Sequence, residues 1–229
     1  LTAQQGILDS LRQQLNRTGD DVQSATVLLQ LSEAFKTLNW GDSCEIYAYQ
    51  AISLARQYHR RDIEARCFDC LAQARMNDGE YDIALTAYDT ARYLFRQYHI
   101  PYDTFRTLMH LAGANSGLGR LPAAIGYLDS MDAMIRPSQA WRAMMHARMM
   151  ANVLHAQNRF EEALAYRRRA FYRLADTFPP SDQLRVFFGM AFDFNRLGQY
   201  DSAIHYIRQG ISLAMRFEDA YMEWHFRGN

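Results

Sequence analysis

Arginine is the residue whose spacing most strongly suggests binding chemistry in this sequence. Arg66, Arg106, Arg148 and Arg185 recur at intervals of 40, 42 and 37 residues. A guanidinium donates forked hydrogen bonds that match a carboxylate, so arginines in register would hold the acidic groups of an extended peptide. The alternative is that these arginines are solvated or paired with neighbours such as Asp69, because charged side chains are usually exposed.

The other reactive residues form no catalytic or metal-binding pattern. None of the seven histidines has the H-x-x-x-H or H-E-x-x-H spacing of a metal-binding helix. The sequence also contains neither a Gly-rich phosphate loop nor a G-x-S-x-G motif. We therefore expect no enzymatic activity, no cofactor and no metal. The basic run Arg167-Arg168-Arg169 is expected on a solvated outer face rather than in a nucleic-acid patch.

Three cysteines, Cys44, Cys67 and Cys70, are too few for a disulfide framework. Cys67 and Cys70 form a C-x-x-C within a predicted helix, but no second pair completes a zinc site. We interpret all three as small buried residues. The alternative is a Cys44–Cys67 crosslink between adjacent helices.

The composition is that of a folded chain with a sizeable core. Apolar residues make up 49% of 229 residues, which excludes a disordered chain, and the formal net charge of zero gives no general attraction to nucleic acid or anionic lipid. No apolar run approaches the roughly 18 residues of a membrane span. The chain starts at Leu1, as after removal of a leader or in a shortened chain. Periplasmic and cytoplasmic locations therefore both stay open.

The elements that must position these residues repeat along the chain. Each predicted unit has two small residues twelve positions apart, and large apolar residues flank the first at helical spacing of three and four. Small side chains on facing helices allow close packing, and a constant period predicts a stacked array of helix pairs. The small pairs are Ser32 and Cys44, Ala72 and Ala84, Ala112 and Ala124, Ala151 and Ala163, and Ala191 and Ala203.

We expect residues 1–229 to form a single all-α repeat domain. Turn and helix-start signals divide it into a capping helix and successive helix pairs. We expect a capping helix over 1–20, helix pairs over about 22–60, 61–100, 101–137, 138–178 and 181–217, and a truncated sixth unit over 218–229. Met222, Trp224 and Phe226 would make a poor polar cap for such an array. We therefore expect a fragment of a longer protein whose open C-terminal end pairs with a second copy.

This pattern resembles the tetratricopeptide (TPR) repeat, most completely in the last unit. That unit has the family's small residues at Ala191, Ala203 and Gly210, and its turn is Gly198-Gln199-Tyr200. The period is about 40 residues rather than 34, and the family's first-helix Trp is replaced in all five units by Leu28, Phe68, Leu108, Ala147 and Phe187. Such long repeats resemble the helical-repeat input regions of bacterial sensor proteins, such as histidine kinases, and of transcription activators.

The resemblance implies a right-handed α–α superhelix whose first helices line an inner groove. It implies a non-catalytic scaffold for proteins or peptides, as the input region of a bacterial signal-transduction or transcription-regulatory protein, with no nucleic-acid contact and no membrane span. The alternative is a stand-alone adaptor or a signal-peptide-binding regulator with an arginine-lined groove. The residues predicted to line the groove are Arg66, Asp69, Gln73, Asn77, Arg106, Met109, Arg148, Asn152, His155, Arg185, Phe188, Phe192 and Asn195.

Some TPR domains hold a C-terminal carboxylate with a basic residue, an Asn four residues later and a second Asn in the next unit. Arg148 and Asn152 match the first two positions. Gly189 stands at the third, so we do not predict this clamp.

Overall fold

The computed structural model describes residues 2–19, 21–136, 139–174 and 180–216. These residues form eleven α-helices and contain no β-strand. The predicted sixth unit at 218–229 lies outside them. The helices are α1 (Thr2–Leu15), α2 (Val22–Thr37), α3 (Gly41–Gln57), α4 (Arg61–Asn77), α5 (Tyr81–Gln97), α6 (Thr104–Gly117), α7 (Leu121–Asp132), α8 (Ala140–Ala156), α9 (Phe160–Leu174), α10 (Pro180–Arg196) and α11 (Tyr200–Arg216).

Contacts divide the chain into two compact units, Leu1–Gly119 with α1 to α6 and Arg120–Asn229 with α7 to α11. Consecutive helices pack as pairs, α2 with α3 and α4 with α5 in the first unit, and α8 with α9 and α10 with α11 in the second. The prediction of an all-α fold built from sequential helix pairs is therefore confirmed. None of the described helices is both long and apolar enough to cross a bilayer.

Small residues lie where facing helices come closest. Ser32 and Cys44 are fully buried between α2 and α3, and the Ser32 hydroxyl donates to the Cys44 carbonyl oxygen at 3.0 Å. Ala151 and Ala163 are equally buried between α8 and α9. Backbones can approach this closely only because no large side chain separates them, so the small-residue period does set the pairing.

Most helix ends share one backbone signal, a residue with positive φ just beyond the last turn. The following N–H then bonds back to a carbonyl five residues earlier, as in Trp40 N–H to Phe35 O at 3.0 Å and Gln199 N–H to Phe194 O at 2.9 Å. This closure satisfies carbonyls that the helix leaves unpaired. The positive-φ residues are Asn39, His59, Gly79, His99, Gly119, Asn158 and Gly198.

Helix bounds differ from expectation in two places. Helix α7 ends at Asp132 after only 12 residues, so the third predicted pair has a shorter second helix than the others. Helix α10 begins at Pro180, just before the expected start of the fifth pair at about 181, because proline suits the first turn of a helix, where its missing N–H costs nothing.

Candidate functional site

The predicted groove residues all lie on first helices of the predicted pairs, and they fall into two groups. Six lie on α4 and α6 of the first unit, and seven lie on α8 and α10 of the second. Their role in binding stays a prediction.

In the first unit, one of the two predicted arginines, Arg106, is already paired with an acid. Asp69 Oδ2 lies 3.5 Å from Arg106 Nη2 and 3.6 Å from Lys36 Nζ, so one carboxylate on α4 bridges cations from α6 and α2. These residues and Arg66 line a small cavity of about 250 Å³. The alternative of an arginine paired with Asp69 therefore holds for Arg106, whereas Arg66 is exposed.

The amides of this group bond to one another. Gln73 Nε2 donates to Asn77 Oδ1 at 3.2 Å, and Asn77 Nδ2 donates to the Asn39 side chain. Met109 is half-buried. These bonds orient the amides on the surface.

Beside this face, sequence reasoning missed a stacked pair of a buried tyrosine and a half-buried histidine. Tyr88 is 1% exposed and stacks on His110 with ring centroids 5.1 Å apart. Burial lowers the pKa of His110 to about 4, with Asp69 opposing that shift and Arg106 adding to it. His110 is therefore neutral at pH 7.

The second unit contains a buried charge cluster. Asp193 is completely buried, and its Oδ2 lies 2.7 Å from Arg167 Nε while its Oδ1 lies 2.5 Å from His155 Nδ1. Arg167 Nη2 also donates to Asn152 Oδ1 at 3.1 Å. Both oxygens of the carboxylate are thus occupied, as a buried charge requires.

Gly189 on α10 provides the space for this cluster. A Cβ at this position would lie 2.3 Å from Arg167 Nη1 and 2.4 Å from its Cζ. The guanidinium therefore rests directly on the α10 backbone, which only a glycine permits. The same residue that breaks the carboxylate-clamp pattern makes room for Arg167.

Arg167 corrects the sequence interpretation of the basic run, because it is 5% exposed rather than solvated. The spacing of residues on α9 already indicated that Arg167 is buried, because Arg167 follows Ala163 by four residues and precedes Ala170 by three on the buried stripe of this helix. Asp193 likewise follows the buried Met190 by three residues on α10. Opposite charges in phase with apolar stripes on adjacent helices predict a buried pair.

Arg148 is the least satisfied cation of the second group. Its Nε is buried and has no hydrogen-bond partner among the described residues, and its Nη2 meets only the Met145 sulfur, at 3.6 Å. Burial, and then repulsion from Arg185, lower the pKa of Arg148. Arg185 itself is exposed and lies 3.4 Å from Asp182 Oδ1.

An aromatic surface accompanies these cations. The Phe188 and Phe192 rings stack 6.4 Å apart, and Phe192 is 45% exposed. The His155 ring lies 4.9 Å from Phe192 and 5.1 Å from Phe160. Asn195, one turn further along α10, is exposed. Apolar and cationic groups therefore share one part of the second unit.

The three cysteines are free thiols and completely buried, which confirms their interpretation as small core residues. Cys44 Sγ lies 3.7 Å from the Cys70 carbonyl oxygen. A separate hydrogen bond with the Cys70 side chain lowers the pKa of Cys44 to about 7, and burial opposes this shift. Within the described residues, no cluster of three or more His, Cys, Asp or Glu could hold a metal ion.

Comparison with solved structures identifies the fold. BtubC (BKLC) from P. vanneervenii superposes with a TM-score of 0.69 at 13% identity, over 95% of this chain and 90% of that one. A Podosopora anserina protein of nearly identical TPR-like repeats gives 0.58 at 15% identity, over 84% and 95%. The fold is TPR-like.

A Rap protein complexed with Competence and Sporulation Factor gives a TM-score of 0.63 at 15% identity, over 93% of this chain and 70% of that one. No protein-family model and no curated protein matches the sequence. At such identities the likeness concerns the fold, and membership of the TPR family stays a prediction.

Proposed function

We propose that this chain is a non-catalytic scaffold that binds an acidic peptide or protein segment through the first-helix residues of its second unit. The observation that carries the proposal is Arg148, a half-buried guanidinium with an unpartnered buried Nε within the described chain. A cation left so poorly satisfied gains much from an incoming carboxylate, since a charge-assisted hydrogen bond is roughly twice as strong as a neutral one.

The surroundings of Arg148 favour a peptide over a simple ion. Arg185 adds a second cation, and Phe192 offers an exposed ring to an apolar side chain. The buried Arg167–Asp193–His155 cluster keeps α8, α9 and α10 in register, so the binding groups start pre-organised. We expect ligands that alternate acidic and aromatic or aliphatic residues.

The test is selection of peptides from a random displayed library, followed by fluorescence anisotropy with one selected peptide. We expect enrichment of Asp or Glu beside apolar residues, and at least a tenfold loss of affinity for Arg148→Ala/Arg185→Ala. The control is Arg168→Ala/Arg208→Ala, which removes the same charge from exposed positions of α9 and α11. Equal losses for both variants, or unchanged affinity in the first, would contradict the proposal.

We further propose that the scaffold serves as the input region of a bacterial signal-transduction or transcription-regulatory protein. The long repeat supports this role, and the Rap complex shows that a similar fold accommodates Competence and Sporulation Factor. A signal-peptide-binding regulator is therefore the second candidate. Gene sequence beyond Asn229 tests the first role, because a kinase or DNA-binding region should follow.

A further inference from the structure

A second cavity lies in the second unit, at residues that the proposed peptide site does not use. It has a volume of about 700 Å³ and lies where α7 ends, α8 begins and α9 passes both. Four alanines, Ala140, Ala143, Ala147 and Ala170, form part of its wall. The volume falls within the range of small-molecule sites, and the alanine wall offers an apolar surface to a ligand.

His146 lines this cavity and carries an unsatisfied atom. Its side chain is 6% exposed, and Nε2 is buried without a hydrogen-bond partner in the described part of the chain. Nδ1 lies 3.8 Å from Asp132 Oδ1, and the Tyr166 ring meets the imidazole edge-on at 6.4 Å. Buried polar atoms without partners are rare in folded proteins, so Nε2 indicates a missing ligand group.

The charge lining the cavity favours an anion. Arg136 and Arg169 are exposed and form no ion pair with any described residue, whereas Asp132 is the only acid among the described lining residues. At neutral pH the described lining residues therefore carry one excess positive charge, because burial lowers the pKa of His146 and keeps it neutral.

The amino end of α8 adds to this preference. Its N-cap, Gln139, makes no side-chain hydrogen bond to the helix, because Gln139 Oε1 accepts from the Arg136 N–H at 3.2 Å. Among the described residues, Gln139 therefore supplies no side-chain cap to the first-turn N–H groups of this 17-residue helix. A helix N-terminus in this state favours a negative group.

We propose that this cavity binds a small organic carboxylate. The carboxylate lies between Arg136, Arg169 and the start of α8. It favours the protonated imidazole of His146 and accepts a hydrogen bond from its Nε2–H. The organic body packs against the alanines and Tyr166. A bare inorganic anion would leave that apolar wall and most of the volume unfilled.

The test uses benzoate as the probe, with benzamide as its neutral counterpart and inorganic phosphate as the simple anion. Binding to the whole chain is measured by isothermal titration calorimetry and by the His146 ring resonances in NMR spectra. We expect benzoate to bind, to shift those resonances and to raise the pKa of His146. Benzamide and phosphate should each bind at least tenfold more weakly.

Two variants locate the site. Arg136→Gln/Arg169→Gln should weaken benzoate binding at least tenfold, and Ala143→Leu should do so by filling the cavity while both arginines remain. Arg168→Gln, which removes a neighbouring exposed charge of α9, should leave affinity unchanged. Circular dichroism confirms that each variant is folded.

The proposal is overturned if benzoate leaves the His146 resonances unmoved, if benzamide or phosphate binds as well, or if Ala143→Leu binds benzoate as the native chain does. None of these readouts involves Arg148 or Arg185. Failure here therefore leaves the peptide-binding proposal untouched, and the reverse also holds.

Discussion

Replacing Gly189 with alanine should destabilise this protein, although the same change in an ordinary helix is stabilising. Gly189 is buried in the middle of α10. The new methyl group would lie 2.3 Å from Arg167 Nη1. The guanidinium must move, and its freedom to do so is limited because Asp193 and Asn152 hold it at 2.7 and 3.1 Å.

The magnitude follows from two opposing effects. Alanine in a helix interior is favoured over glycine by about 1 kcal/mol. Separating Arg167 from the fully buried Asp193 leaves a charge without its main partner, which typically costs about 3–5 kcal/mol. The difference predicts a net loss of about 2–4 kcal/mol in the free energy of unfolding.

Urea denaturation followed by circular dichroism measures the effect. The matched control is Gly126→Ala in α7 of the same unit, where a new Cβ would meet nothing within 4 Å. That control should raise the free energy of unfolding by up to about 1 kcal/mol. Gly189→Ala should also turn from destabilising to mildly stabilising in an Arg167→Ala background, because the obstructing guanidinium is then gone.

Two results would refute this reasoning. If Gly189→Ala stabilises the native chain as Gly126→Ala does, Arg167 can slide aside without losing Asp193. If Gly189→Ala costs the same with and without Arg167, the two residues are not coupled.

Three further predictions concern the first unit. His99→Gly should raise the free energy of unfolding by about 1 kcal/mol in urea denaturation, because a non-glycine residue at φ 51° is strained; Gly119→Ala should lower it similarly. The pKa of His110 is lowered in the folded state, so as the pH falls the unfolded chain takes up a proton at His110 before the folded chain does. The free energy of unfolding should therefore decrease as the pH drops from about 6.5 to 4, and His110→Leu should reduce this dependence on pH. Glu64→Gln should cost about 1–3 kcal/mol in thermal or urea unfolding, because the buried Glu64 accepts from Arg56 and Arg61 at 2.7 and 2.6 Å; an unchanged midpoint would contradict this.

The helix pairs were predictable because each depends on local, repeated features. Small residues such as Ala151 and Ala163 recur in phase, and an apolar stripe of helical period identifies the buried face. The turns were predictable for the same reason. His59 and His99 are harder to identify as turn residues, because a positive φ at a non-glycine residue has a weaker sequence signal than at Gly79.

The candidate site was only partly predictable, because helical phase assigns a residue to a face but does not reveal its partner. Asp69 and Arg106 were expected on one face and do meet. Asn152 and His155 were expected to face a ligand, and each also has an internal partner that the sequence did not indicate, because Asn152 Oδ1 accepts from Arg167 and His155 Nδ1 contacts Asp193. That difference depends on which acids and bases adjacent helices bring together.

The two units satisfy their arginines differently, and this difference argues against a uniform arginine ladder. In the first unit, Asp69 on the surface offsets Arg106. In the second, Arg185 is paired with Asp182, but the buried Asp193 has both oxygens occupied by Arg167 and His155 and is unavailable to Arg148. An acidic ligand would therefore compete with an internal acid in the first unit, whereas at Arg148 it would fill a missing partner. Selective binding should for this reason be concentrated in the second unit.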